Sequence, residues 1–146
     1  MRVSRTLEVP HSQEEVFDFL ADARNEKLWH PDVESVELES DGAVGPGTTF
    51  RARYRHLGTV ELEILEFVRP WRLVFRAKGA TSAVYETRLE SHDRLTRIVT
   101  VADAQPRGLG RLLGPLLHGR IQKDFQRRGE LLARGLAARA HTAPPS

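Results

Sequence analysis

Between Thr48 and Asp103 the chain repeats with a period of two, interrupted only by short turns, and one helix-period segment follows. This pattern constrains the fold more than any other feature, because consecutive strands joined by turns of about two to five residues must run antiparallel. The clearest strand alternates Phe50, Ala52, Tyr54 and His56 with Arg51, Arg53 and Arg55. Arginines belong on the wet face, so Tyr54 and His56 are expected to point inward. A turn at Leu57 to Thr59 leads to Val60, Leu62 and Ile64 opposite Glu61 and Glu63, and the parity then slips through Leu65 and Phe67, which predicts a bulge or bend. After the Arg69-Pro70 corner, Trp71, Leu73, Phe75 and Ala77 alternate with Arg72, Arg76 and Lys78. Ala83, Tyr85, Thr87 and Leu89 do the same against Glu86, Arg88 and Glu90. Beyond a turn at Ser91 to Arg94, Leu95 to Asp103 reads as a strand whose facing is open, since Val99 and Val101 share parity with Arg97 while Ile98 sits among threonines.

Upstream, residues 2 to 9 alternate as a strand with Val3, Leu7 and Val9 on one side, and Arg5 breaks the pattern. Ser12 and Glu15 have capping-box spacing ahead of a short helix with Val16, Phe17, Leu20 and Ala21 on one face. A second helical turn is expected from Ala23 to Pro31, then a strand from Val33 to Glu39 and a loop from Asp41 to Gly47. Downstream, Gln105 to about Ala138 is helical in pattern; Gly108, Gly110, Gly114 and Pro115 weaken its start, and a kink or break is expected near Pro115. Leu117, Ile121, Phe125, Leu132 and Leu136 form its stripe, with His118 and Arg128 inside or beside it, and Asp124 is placed to pair with Arg128 at i,i+4. One such helix must bury its stripe on the sheet, giving an α+β domain. A twisted antiparallel sheet of roughly six or seven strands curls around a single helix without being filled by it, so a cavity is expected between them.

Composition bounds the chemistry. The 146 residues, 40% of them hydrophobic, suit one domain, taken as 1–138 with a disordered tail at 139–146. The absence of cysteine excludes disulfides, thiolate metal sites and thiol nucleophiles. No two of the six histidines lie three to five residues apart, so no helical His-x3-His site exists and no metal is expected. Gly108 to Gly114 has the wrong spacing and no following parallel strand for a dinucleotide loop, and no cofactor is expected. Residues 1–104 hold 14 basic against 18 acidic residues and residues 105–146 hold 8 against 2, so the positive charge sits in the last segment. Arg111, Arg120, Lys123, Arg127 and Arg134 lack interleaved aromatics and read as a solvated helix face, with no nucleic-acid partner. The N-terminus lacks the apolar block of a secretory signal and no apolar run reaches membrane-spanning length, so a cytoplasmic protein without integral membrane association is expected.

The order of elements, with "VPHSQEEVFDFLADARNEKLWHPDVESVE" near the start and "VGPGTTFRARY" after it, resembles the START-like (SRPBCC) superfamily and its polyketide cyclase/dehydrase family over residues 1 to about 138. The resemblance rests on Val9-Pro10 followed by Glu15-Val16-Phe17, on Trp29-His30-Pro31, on Gly45-x-Gly47-Thr48, on Arg69-Pro70 and on Thr96-Arg97. It implies a helix-grip fold: a curved antiparallel sheet wrapped around a long C-terminal helix, two short helices after the first strand, and an internal cavity for an apolar or amphipathic small molecule. It does not imply one reaction, because the superfamily spans carriers, cyclases, hydroxylase subunits and chaperone activators.

The expected function is binding of a hydrophobic or amphipathic molecule, lipid or polyketide-like, between sheet and helix. The expected lining is Trp29, Phe50, Tyr54, His56, Phe75, Tyr85, Leu117, His118, Ile121 and Phe125, with His30 beside Trp29 at the mouth. The alternatives are a cofactor-independent polyketide cyclase/dehydrase and a chaperone-activator-like interaction module. For an enzyme, His56 or His118 would act as general base with the Tyr54 or Tyr85 hydroxyl steadying an oxyanion. An interaction module would instead have a narrow, filled cavity. Oligomeric state is not readable from the sequence.

Overall fold

The computed structural model describes residues 1–105 and 109–142, with side chains for 1–105 and 113–139. The strands are β1 (Arg2–Val9), β2 (Val33–Leu38), β3 (Thr49–Tyr54), β4 (Gly58–Val68), β5 (Arg72–Lys78), β6 (Ser82–His92) and β7 (Leu95–Gln105). All seven belong to one antiparallel sheet in the order β1-β7-β6-β5-β4-β3-β2. Helix α1 (Gln13–Ala21) and a 3-10 helix (Ala23–Leu28) connect β1 to β2, and α2 (Leu109–Thr142) ends the described chain. The expected α+β helix-grip architecture is therefore present. No helix among the described residues is long and apolar enough to cross a membrane.

Local chemistry accounts for the element ends. The Ser12 hydroxyl accepts the Glu15 N–H at 3.1 Å and caps α1, and the Asp22 carboxylate caps the 3-10 helix through the Arg24 N–H at 3.1 Å. The parity slip in β4 is a bulge between Ile64 and Glu66, which leaves Leu65 exposed. The facing of β7 is settled: Thr96, Ile98, Thr100 and Ala102 point inward. Outside, Arg51 pairs with Glu39 at 3.2 Å, Arg53 with Glu34 at 3.6 Å, and Arg76 with Glu63.

Several expectations need correction. β3 ends at Tyr54, so His56 sits exposed in the β3–β4 turn and is not an inward strand residue. Trp71 precedes β5 and is 44% exposed, because its backbone closes a turn with Val68 and receives the Leu89 N–H. Pro115 lies inside α2 without breaking it. The same helix carries residues 139–142, which were expected in a tail; residues 143–146, Gly108 and the Arg111 side chain lie outside the described residues.

Helix α2 rests on β1 and on the segment around Trp29. Leu132 and Leu136 are buried with Phe17, Phe50, Ile64 and Ile98 in the core. Two glycines set the approach: a Cβ on Gly129 would lie 2.5 Å from Leu7 Cδ2, and one on Gly135 would lie 2.7 Å from Trp29 Cβ. β1 is an edge strand, and α2 covers its free edge with polar side chains at helical spacing. The Gln122 amide donates to the Ser4 carbonyl at 2.5 Å and accepts the Ser4 N–H at 2.9 Å. Gln126 repeats the pattern on Thr6 at 3.0 and 3.2 Å, and His118 Nε2 lies 2.8 Å from the Arg2 carbonyl. Backbone groups that would otherwise be open to another strand are thereby satisfied.

Candidate functional site

Between the concave sheet face, the 3-10 helix and α2 lies a cavity of about 440 Å³. Its walls come from strands that alternate as the sequence requires. One inward cross-strand row is Arg5, Thr100, Thr87 and Leu73; the next is Val3, Ala102, Tyr85 and Phe75; a third is Ala104, Ala83, Ala77 and Leu62. Small alanines in the third row leave room where larger side chains would fill it. Leu20, Trp29, Phe125 and Arg128 close the other side, and exposed His56, Leu57 and Thr81 ring the opening at two turns.

Of the expected lining, Trp29, Tyr54, His56, Phe75, Tyr85 and Phe125 meet at this cavity. Four do not. Phe50 is fully buried in the core, its ring 6.4 Å from that of Phe75. Leu117 is 43% exposed and Ile121 half-buried, both away from the cavity walls. His118 is exposed and held by the Arg2 carbonyl at the sheet edge, so it cannot share a ligand with His56. The reason is position along the helix: from Phe125 onward the stripe meets the cavity and the core, whereas the turns before it pass along the β1 edge.

The polar groups of the cavity form two sets. In the first, the Tyr54 hydroxyl donates to Glu26 Oε2 at 2.6 Å, and the Tyr54 ring packs edge-on against His30 at 5.3 Å. Burial pushes the Glu26 carboxyl above the usual carboxylate range, opposed by the Tyr54 hydrogen bond and the Arg5 charge. The Tyr54 phenol is raised too, by burial first and by Glu26 second. In the second set, Arg128 donates to Asp32 at 3.1 Å and lies 3.3 Å from His30 Nε2, while His30 Nδ1 accepts the Asp32 N–H at 3.2 Å. Arg128 was expected to pair with Asp124, but its fork turns inward to Asp32 instead. Burial, then the neighbouring Arg128, holds His30 down to about 4, so the ring is neutral at neutral pH.

Arg5 stands between the sets. It is 9% exposed, its guanidinium carbon 4.4 Å from the Phe125 ring centroid and 5.6 Å from that of Trp29. Burial lowers it to about 10, still a cation at neutral pH. The residue that broke the β1 alternation is thus an inward charge. Its signal was present in the sequence as an arginine at the parity of Val3, Leu7 and Val9. Glu26 gave no such signal, because the 3-10 helix that aims it inward has no apolar period.

The family described as polyketide cyclase/dehydrase and lipid transport matches residues 1–140. The chain belongs to that family. Its fold is shared by solved structures of low sequence identity. A Thermus thermophilus protein, TTHA0849, is 20% identical with a TM-score of 0.73, over 94% of this chain and 98% of that one. A START superfamily protein from Mycobacterium smegmatis is 15% identical with a TM-score of 0.70, over 97% of each chain. The di-domain ARO/CYC protein BexL from the BE-7585A biosynthetic pathway is 14% identical with a TM-score of 0.70, over 99% of this chain and 51% of that one. At these identities the likeness to each of them is one of fold. No curated protein matches the sequence. Family membership supports a hydrophobic-ligand-binding or cyclase fold and leaves the ligand unspecified.

Proposed function

We propose that the protein binds an amphipathic small molecule, lipid or polyketide-like, inside the cavity between the sheet and α2. The observation that carries this reading is the cavity itself: about 440 Å³, with apolar walls from Val60, Leu62, Leu73, Phe75 and Ala77 and with polar groups that include Arg5, Glu26, His30, Tyr54 and Arg128. That size and that distribution are those of small-molecule sites. An interaction module with a filled interior would not have this space. Native mass spectrometry of gently purified protein tests the reading. A stoichiometric apolar adduct is expected, and Ala77→Phe, which puts a ring into the cavity, should abolish it while the protein stays folded. A bare mass, with no thermal shift from fatty acids or aromatic polyketides, would sink the reading.

A second reading, cofactor-independent cyclase or dehydrase chemistry, is favoured by the Glu26–Tyr54 pair. A carboxyl raised by burial and hydrogen-bonded to a phenol inside an apolar cavity is equipped to move a proton. Glu26, rather than His56 or His118, is the base this geometry supports. Turnover of a polyketide substrate lost in Glu26→Gln with binding retained is its expected result.

A further inference from the structure

Every acidic group that lines the cavity already has a donor. Asp22 takes the Arg24 guanidinium at 2.8 and 2.9 Å, Asp32 takes Arg128 at 3.1 Å, and Glu26 takes the Tyr54 hydroxyl at 2.6 Å. Among the cations, Arg128 is held by Asp32. Arg5 has no such partner: its Nε is buried without a hydrogen bond, and no carboxylate oxygen among the described residues lies within ion-pair distance of it. The Glu26 charge acts on Arg5 from beyond ion-pair distance, but a buried charged donor without a hydrogen-bonded acceptor is costly, and buried polar groups are nearly always satisfied. Its surroundings offer it ring faces, from Phe125 and Trp29, which attract a cation without accepting a hydrogen bond along the guanidinium plane. In the adjoining row the Tyr85 hydroxyl also faces the cavity without an acceptor among the described residues. The unmet requirement at this end of the cavity is therefore for acceptor oxygens.

We infer that the ligand carries a carboxylate, and that Arg5 is the residue that takes it, with the apolar body lying toward Phe75, Leu73 and Ala77. This rests on the cavity reading above and specifies it. The planar guanidinium fork suits two carboxylate oxygens at once. The Thr87 and Thr100 hydroxyls, 3.0 Å apart in the row of Arg5, continue the polar floor beside it. Arg5 is assigned to binding, not to a chemical step.

The test is calorimetric titration of the full chain with 2-naphthoate and with its neutral near-isostere 2-naphthamide at neutral pH. Wild type should bind the naphthoate about tenfold or more tightly than the amide, since charge-assisted hydrogen bonds are roughly twice as strong as neutral ones. Arg5→Met should abolish that preference while keeping the amide affinity within about twofold, and Arg5→Lys should retain part of it. Equal binding of both probes by wild type, or a preference that survives Arg5→Met, overturns the inference and leaves the cavity reading intact. If neither probe binds and native mass spectrometry shows no adduct, both readings fall. Should Arg5→Met fail to fold, the wild-type pair and Arg5→Lys decide the matter.

Discussion

His30 shows how one side chain in this cavity responds to its partners. The ring is half-buried, its Nδ1 accepts the Asp32 N–H and the Arg128 cation lies against Nε2, so a protonated ring would lose hydration and be repelled by a like charge. Folding therefore lowers its pKa from 6.5 to about 4. Because the unfolded chain takes up the proton near pH 6.5 and the folded chain does not, this residue's effect on stability is absent above that pH. Stability falls as the pH drops from 6.5 toward about 4, and the loss then levels off. The full effect is about 3 kcal/mol. Urea midpoints measured across that window should fall less steeply in His30→Asn than in wild type; parallel curves would refute the assignment. The sequence placed His30 beside Trp29 at the mouth of the cavity, but gave no sign of the Asp32 and Arg128 contacts that set its charge. Arg5 is a similar case, since its parity was visible and only its partners were not.

At the scale of elements, the strands and the existence of the long helix were legible, and what the first half of that helix packs against was not. Alternation identified the inward residues of β4, the later part of β5, and β6, because a half-buried strand has one dry face and one wet one. It failed at strand ends, for His56 and Trp71, where turn geometry takes over from the pleat. It was ambiguous for β7, whose inward threonines reach hydrogen-bond partners that a pattern cannot foresee: Thr96 donates to the His11 carbonyl at 2.6 Å, and Thr100 meets Thr87. In α2 the apolar stripe gave the buried Leu132 and Leu136, but the glycines that let the helix approach carried no message about what they approach. Gly135 and Gly119 separate propensity from packing. Gly119 has nothing within 4 Å of a Cβ position, so Gly119→Ala should stabilise by about 0.5–1 kcal/mol. Gly135→Ala meets Trp29 and should destabilise by about 1–2 kcal/mol, overpacking outweighing the helix gain. Chemical denaturation of the two variants checks both signs, and stabilisation by Gly135→Ala would show that Trp29 yields.

For the whole molecule, fold and cavity followed from order: a meander of antiparallel strands ending in one helix leaves a concave face that the helix cannot fill. Which side chains meet in that space did not follow, because the stretch of α2 that lies over the sheet and the aim of the 3-10 helix are tertiary facts. His118 was placed in the cavity by its nearness to the stripe, yet it belongs with Gln122 and Gln126 as an edge cover. That cover has a consequence for how the protein can associate with itself. At β1 the backbone groups of Ser4 and Thr6 are already occupied, so another chain has no ladder to join there. At the opposite end β2 has no such cover among the described residues, and its edge carries Glu34, Glu37 and the register shift between Val33 and Ser35. Among the described residues, fibril-like growth of the sheet thus has one edge open to it, at β2, where the irregular register is the obstacle an incoming copy meets.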